Sequence, residues 1–119
     1  MNGPFQSGTG YRFSDFTDGL SNTLLVGEKH VPSGKHGVGW WDCSTYDGRY
    51  PNCSTRAVSR YFPLTTNPQD SRSLFGSRHT GVVQFCFADG RVRALPETID
   101  LVTLELLGMR SDGLVTPDY

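Results

Sequence analysis

The chain has 119 residues, 36% hydrophobic and 12% aromatic, which is enough for one small domain with a single core. Its net charge of −1, with Arg60, Arg72, Arg78, Arg91 and Arg93 scattered along it, gives no electrostatic reason for nucleic acid or an anionic membrane as partner. Its 14 glycines and 7 prolines argue against a helical bundle, and no apolar run nears the roughly 20 residues that cross a bilayer.

Residues 1–10, MNGPFQSGTG, read as an extended segment with Phe5 as its anchor. No signal peptide is visible, and the abrupt Met1-Asn2-Gly3-Pro4 start suits a chain whose natural leader lies upstream. Ser14 or Asp15 can cap a short helical turn that points Tyr11, Phe13 and Phe16 inward and stops at Asp18-Gly19. Residues 23–29 follow as a strand. Leu24, Val26 and Glu28 alternate with Thr23, Leu25 and Gly27, and aliphatics on both sides suit a central strand.

Residues 31–39 form a loop, and 37–42 read as a short strand with Trp40 on one face and Trp41 on the other. From 43 to 73 the chain is irregular, because Asp47-Gly48, Pro51, Pro63 and Asn67-Pro68 break every periodic run. The stretch of about 31–74 therefore reads as a variable surface insertion within a single 1–119 domain. Cys43 and Cys53 bracket its first part. In an oxidising compartment they close a ring of about ten residues, worth roughly 2–3 kcal/mol; in a reducing one they are two thiols. Cys86, the odd cysteine, reads as a small buried hydrophobe on a strand.

The clearest pattern is a β-hairpin over 82–95, with Asp89-Gly90 at its turn. A two-residue loop sets Phe87 opposite Val92 and Phe85 opposite Ala94. Val83, Phe85, Phe87, Val92 and Ala94 then share a dry face, and Gln84, Cys86, Ala88, Arg91 and Arg93 a wetter one. Asp100 is a good N-cap for a helix through LVTLELLGMR, with Pro96 as the alternative start. Leu101, Leu104 and Leu107 make one stripe of it and Val102, Leu106 and Met109 a second, a belt wider than one sheet face needs. The expected class is α+β: a small antiparallel sheet, long irregular loops and a C-terminal helix.

Chemistry is sparse. A phosphate-binding glycine loop, CxxC, HExxH and GxSxG are all missing from the sequence. Ser77, His79 and Asp89 supply triad residue types, and a hydrolase using His79 and Asp89 is the weakest reading, since nothing marks a nucleophile elbow or an oxyanion hole. The plainer role for His79 is to satisfy backbone groups where the first hairpin strand begins. His30, His36 and His79 with Glu28 and Asp89 lack the spacing of a zinc motif. No cofactor is expected; calcium is the cation best suited to Asp15, Asp18 and Asp89, although the calcium-loop pattern is missing. Trp40, Trp41, Tyr46 and Tyr50 could stack on a glycan or another surface ligand, against the plainer alternative of one core Trp and one loop-covering Trp.

Three blocks together resemble a known family. Arg12-Phe13-Ser14-Asp15-Phe16-Thr17-Asp18-Gly19-Leu20-Ser21-Asn22-Thr23-Leu24-Leu25-Val26-Gly27-Glu28 is similar to its R-x-x-D-I-T-D-G-T-S-N-T-L-L-x-G-E stretch. Phe75 through Val92 resembles its S-x-H-x-G-G-x-N-x-x-F-x-D-G-S-V stretch, and Thr98 through Leu104 resembles its closing helix. The family is a large planctomycete group of unknown function with a prepilin-type cleavage and methylation segment, similar to type II secretion pseudopilins and type IV pilins. Val82, Gln84 and Arg91 depart from its Gly, Asn and Ser.

The resemblance implies the C-terminal half of a pilin-like headgroup, whose sheet packs on a long N-terminal helix lying outside this chain. That helix would carry the membrane anchor and the contacts to other pilin-like subunits. The expected function is a non-catalytic structural subunit of an extracellular filament or secretion pseudopilus, placed outside the cell, at its surface or in the periplasm. The alternative is a secreted glycan- or ligand-binding module using the aromatics of the 40–50 loop.

Overall fold

A computed structural model describes residues 10–17, 19–47 and 49–109, and of Trp40 the backbone only. Phe5, Asp18, Gly48, the Trp40 side chain and the tail beyond Met109 lie outside the described residues. Among those described, strands β1 (Leu24–Gly27), β2 (Val82–Phe87) and β3 (Val92–Pro96) form one antiparallel sheet in the order β1-β2-β3. Helix α1 (Leu101–Leu107) follows, so the class is α+β, as expected.

The hairpin forms where the sequence places it, but one residue out of the expected register. Cys86 pairs with Val92, Gln84 with Ala94 and Val83 with Leu95. Phe87 N–H donates to Arg91 O at 2.8 Å and Gly90 N–H to Phe87 O at 2.9 Å, which closes a three-residue loop over 88–90. Gly90 takes φ 87°, the left-handed position that such a loop requires. Val92, 65% exposed, and Ala94 therefore lie on the wet face with Gln84 and Cys86. Leu95 takes the core position, and the Arg91 guanidinium lies 5.2 Å above the Phe87 ring. The slip buries the larger Leu95 in place of Val92 and leaves the arginine stems to cover the ring edge.

Phe85 and Phe87 are buried as expected, in a cluster with Leu24, Leu64, Val83, Leu95, Ile99, Leu104 and Leu107. α1 covers this face of the sheet through Leu104 and Leu107. Asp100 caps the helix, accepting from Thr103 N–H at 2.9 Å and Thr103 Oγ1 at 3.0 Å. The second apolar stripe is not enclosed: Val102 is exposed, and Leu106 and Met109 are half-buried.

β1 is an edge strand, not the central one; β2 is central. A bulge between Leu24 and Val26 turns Val26 out to solvent. It also sets Gly27 against Phe85, where a Cβ would overlap the Phe85 ring and approach Phe75 Cδ1 to 2.8 Å. Residues 39–41 form a 3-10 turn where a short strand was expected, and Phe13 is exposed where an inward ring was expected. Asp15 does not cap the first turn from outside; its carboxylate reaches back to Arg12 N–H at 2.7 Å.

The 31–74 stretch is tied into the body. Residues 74–77 run between two neighbours. Gly76 N–H donates to Glu28 O and His30 N–H to Leu74 O on one side, and Thr65 N–H to Phe75 O and Ser77 N–H to Thr65 O on the other. Leu64 and Leu74 are buried, so part of the stretch builds core.

Candidate functional site

The irregular layer is held by cations as well as by apolar contacts. Lys29 follows β1 and donates from Nζ to Cys43 O at 3.0 Å and Cys53 O at 3.4 Å, with Asp42 at 3.9 Å. Cys43 and Cys53 are joined by a disulfide, so the ring expected from their positions is present. Arg56 donates to the carbonyls of Asn52, Thr55, His30 and Trp41. Burial pushes its guanidinium down from the ordinary value, while Asp42 pulls it up. Cys86 is a free thiol, half-buried on the outer sheet face and not fully enclosed.

A cleft of about 300 Å³ opens between residues 28–31 and 76–79, with His36 reaching its rim from the loop. Glu28, Lys29, His30, His36, Arg78 and His79 line it, so all three histidines of the chain meet there. A tight reversal builds one wall. Ser77 Oγ donates to Val82 O at 2.5 Å and accepts from His79 N–H at 3.1 Å, and Gly81 at φ 71° lets the chain turn. Ser77 thus takes the backbone-satisfying role expected of His79, whose Nε2 instead lies 3.2 Å from Glu28 Oε1. The other Glu28 oxygen accepts from Gln84 N–H at 2.8 Å. Arg78 anchors across the cleft through Nη2 to Val31 O at 2.7 Å.

His30 is the buried member, 2% exposed, and its Nε2 donates to Asp70 O at 2.6 Å. Its Nδ1 is buried and has no hydrogen-bond partner among the described residues. Asp70 is fixed by Arg72, which donates from Nε at 3.0 Å and Nη2 at 2.7 Å. That side-chain pairing, ahead of the Arg72 backbone N–H and the His30 charge, lowers the Asp70 carboxyl from 3.8 to about 2 against the opposing effect of burial. A carboxyl lowered by folding stabilises the native state above its unfolded pKa, and the contribution fades as pH falls through the folded value. Asp70→Asn should therefore be less stable than the parent near neutrality. The gap should close as pH falls from about 4 to about 2. Urea unfolding at stepped pH reads it; a gap that stays constant across that window would rule the linkage out.

The structure does not bring the other proposed constellations together. His79 and Asp89 sit at opposite ends of β2, roughly 20 Å apart at 3.3 Å per strand residue, so they form no catalytic pair. Among the described residues, no group of three or more His, Cys, Asp or Glu side chains is arranged to hold a metal ion. Of the calcium set, Asp15 is engaged with Arg12 N–H, Asp89 with Arg91 N–H at 2.9 Å, and Asp18 lies outside the described residues.

Of the aromatic set, Trp41 is half-buried with Lys35 Nζ 5.7 Å from its ring centroid. Tyr46 is 97% exposed and Tyr50 54%. A second, open cleft of about 580 Å³ is lined by Gly39, Cys43, Asp47, Arg49 and Tyr50, and among the described aromatics of the set only Tyr50 lines it. The sequence groups His30, His36 and His79 with Glu28 only as a metal set, and the cleft they share with Arg78 was missed. The signal was three histidines flanking segments that the loop bridges bring together, and no local spacing carries that.

No curated protein and no solved structure is significantly similar to the chain. A family model, SBP_bac_10, described as "Protein of unknown function (DUF1559)", matches residues 1–102. With most of its length covered by that match, the chain belongs to the DUF1559 family.

Proposed function

We propose that this chain is the headgroup portion of a non-catalytic, pilin-like structural subunit, assembled outside the cytoplasm. The observation that carries the reading is the sheet's two-sided character. One face is filled by the core and α1, while the other presents Val26, Cys86, Val92 and Ala94 to solvent. In this reading an apolar helix preceding residue 1 in the full reading frame packs on that face and carries the anchor. The sequence blocks resembling prepilin-type planctomycete proteins support it, as does the disulfide, which persists in oxidising compartments.

The test is the full reading frame in a membrane mimic, followed by cross-linking and electron microscopy. Ordered oligomers are expected, and Val26→Asp with Val92→Asp should abolish them while leaving the soluble domain folded, because both side chains already face water. A full-length protein that stays monomeric at assembly concentrations would overturn the reading.

The Tyr50 cleft favours a second reading, a glycan- or ligand-binding module. The Asp47–Arg49 pair, with bonds of 3.0 and 2.8 Å, holds Arg49 5.7 Å from the Tyr50 ring centroid and gives the cleft a polar wall beside an aromatic one. Glycan-array binding lost in Tyr50→Ala would support it; an array without any binding would remove it.

A further inference from the structure

The histidine cleft has an uneven polar inventory. Its one carboxylate, Glu28, is engaged at both oxygens, by His79 Nε2 and by Gln84 N–H. Ser77 Oγ is engaged by Val82 O and His79 N–H. Lys29 is directed away to the carbonyls of Cys43 and Cys53 and pairs with Asp42 at 3.9 Å. What remains is donor-rich. Arg78 uses one terminal nitrogen on Val31 O, and among the described residues its other guanidinium nitrogens have no partner. The exposed imidazole of His36 has none either among those residues. His79 commits its Nε2 to Glu28, so it adds no free donor. The buried His30 donates from Nε2 to Asp70 O, so its partnerless Nδ1 is an acceptor and adds no donor to this inventory.

We propose that this cleft is a binding site for a small oxyanion, of phosphate or carboxylate type. Arg78 is its main anchor, and His36 donates from the rim. A guanidinium with a fork of uncommitted N–H groups matches the paired oxygens of such ligands. The volume of about 300 Å³ suits a small solute and not a polymer. Glu28 carries an opposing charge, so the uncommitted N–H groups of Arg78 must supply the attraction. The inference stands apart from the filament reading, since the cleft lies at the end of β1 and the start of β2 and uses none of Val26, Cys86, Val92 or Ala94.

The experiment is titration of the ¹⁵N-labelled chain with inorganic phosphate and, separately, with succinate, each against sodium chloride of matched ionic strength. Saturable shifts confined to 28–31, 36 and 76–79 are expected with at least one anion, and the stronger of the two names the ligand type. Arg78→Gln should weaken binding about tenfold or more, as for loss of a charge-assisted contact. His36→Gln, which disturbs no hydrogen bond to the described residues, should weaken it about threefold. Arg12→Gln, outside the cleft, should leave it unchanged. Chloride producing the same shifts, neither anion saturating, or both cleft variants binding like the parent would overturn the proposal.

Discussion

Phe85→Ala should destabilise the domain by about 3–5 kcal/mol, while Val92→Ala should change stability by no more than about 0.5 kcal/mol. Phe85 is 2% exposed and meets the Phe75 ring edge-on at a centroid distance of 5.2 Å. It also occupies the space that Gly27 leaves by having no side chain. Truncation opens a cavity beside Gly27 and the Phe75 ring, within the core cluster of Leu95, Leu104 and Leu107, and packed elements collapse poorly into such a space. Val92, by contrast, is 65% exposed and loses little by truncation. Urea unfolding of both variants therefore reads the hairpin register directly. A two-residue loop would put Val92 in the core, and its truncation would then cost as much as a buried valine does. Equal losses in the two variants would contradict the three-residue loop over 88–90.

Removing the disulfide is the second large effect. Cys43→Ser with Cys53→Ser should lower stability by roughly 2–3 kcal/mol, from the chain entropy that a ten-residue ring withholds from the unfolded state. The damage should be local. Lys29 Nζ reads the carbonyls of both cysteines, so separating them removes two acceptors from one cation. Hydrogen exchange should then speed up over 39–56 and remain slow in β2 and α1. Stability unchanged within about 0.5 kcal/mol would mean that the lysine and Arg56 hold the loop without the bond. Uniform acceleration across β2 would mean that the loop and the sheet unfold as one unit.

Local chemistry made much of the fold legible. Asp89-Gly90 between apolar residues located the hairpin, Asp100 located the helix start, and Cys43 with Cys53 located the ring. What failed was each choice between alternatives that local chemistry treats alike. Asp-Gly serves two-residue and three-residue loops, and only the competition between Val92 and Leu95 for the core decides which. The Leu24–Gly27 pattern carries aliphatics on both sides, and the bulge that turns Val26 outward depends on Phe85 needing the space at Gly27. The histidine cleft was hidden for another reason. Its walls are 28–31 and 76–79, joined through Gly76 N–H to Glu28 O, and a contact across that many residues has no signature in a sequence window.

The hydrogen bonds by which the two cations organise the loop go to main-chain oxygens, with Asp42 as the carboxylate beside them. Lys29 and Arg56 between them hold carbonyls of Cys43, Cys53, Asn52, Thr55, His30 and Trp41, and any amino acid supplies that atom. That grip does not depend on which side chains lie between the two cysteines. Exchanging side chains within 44–47 or at 49 and 50 should therefore leave the Lys29 and Arg56 contacts in place.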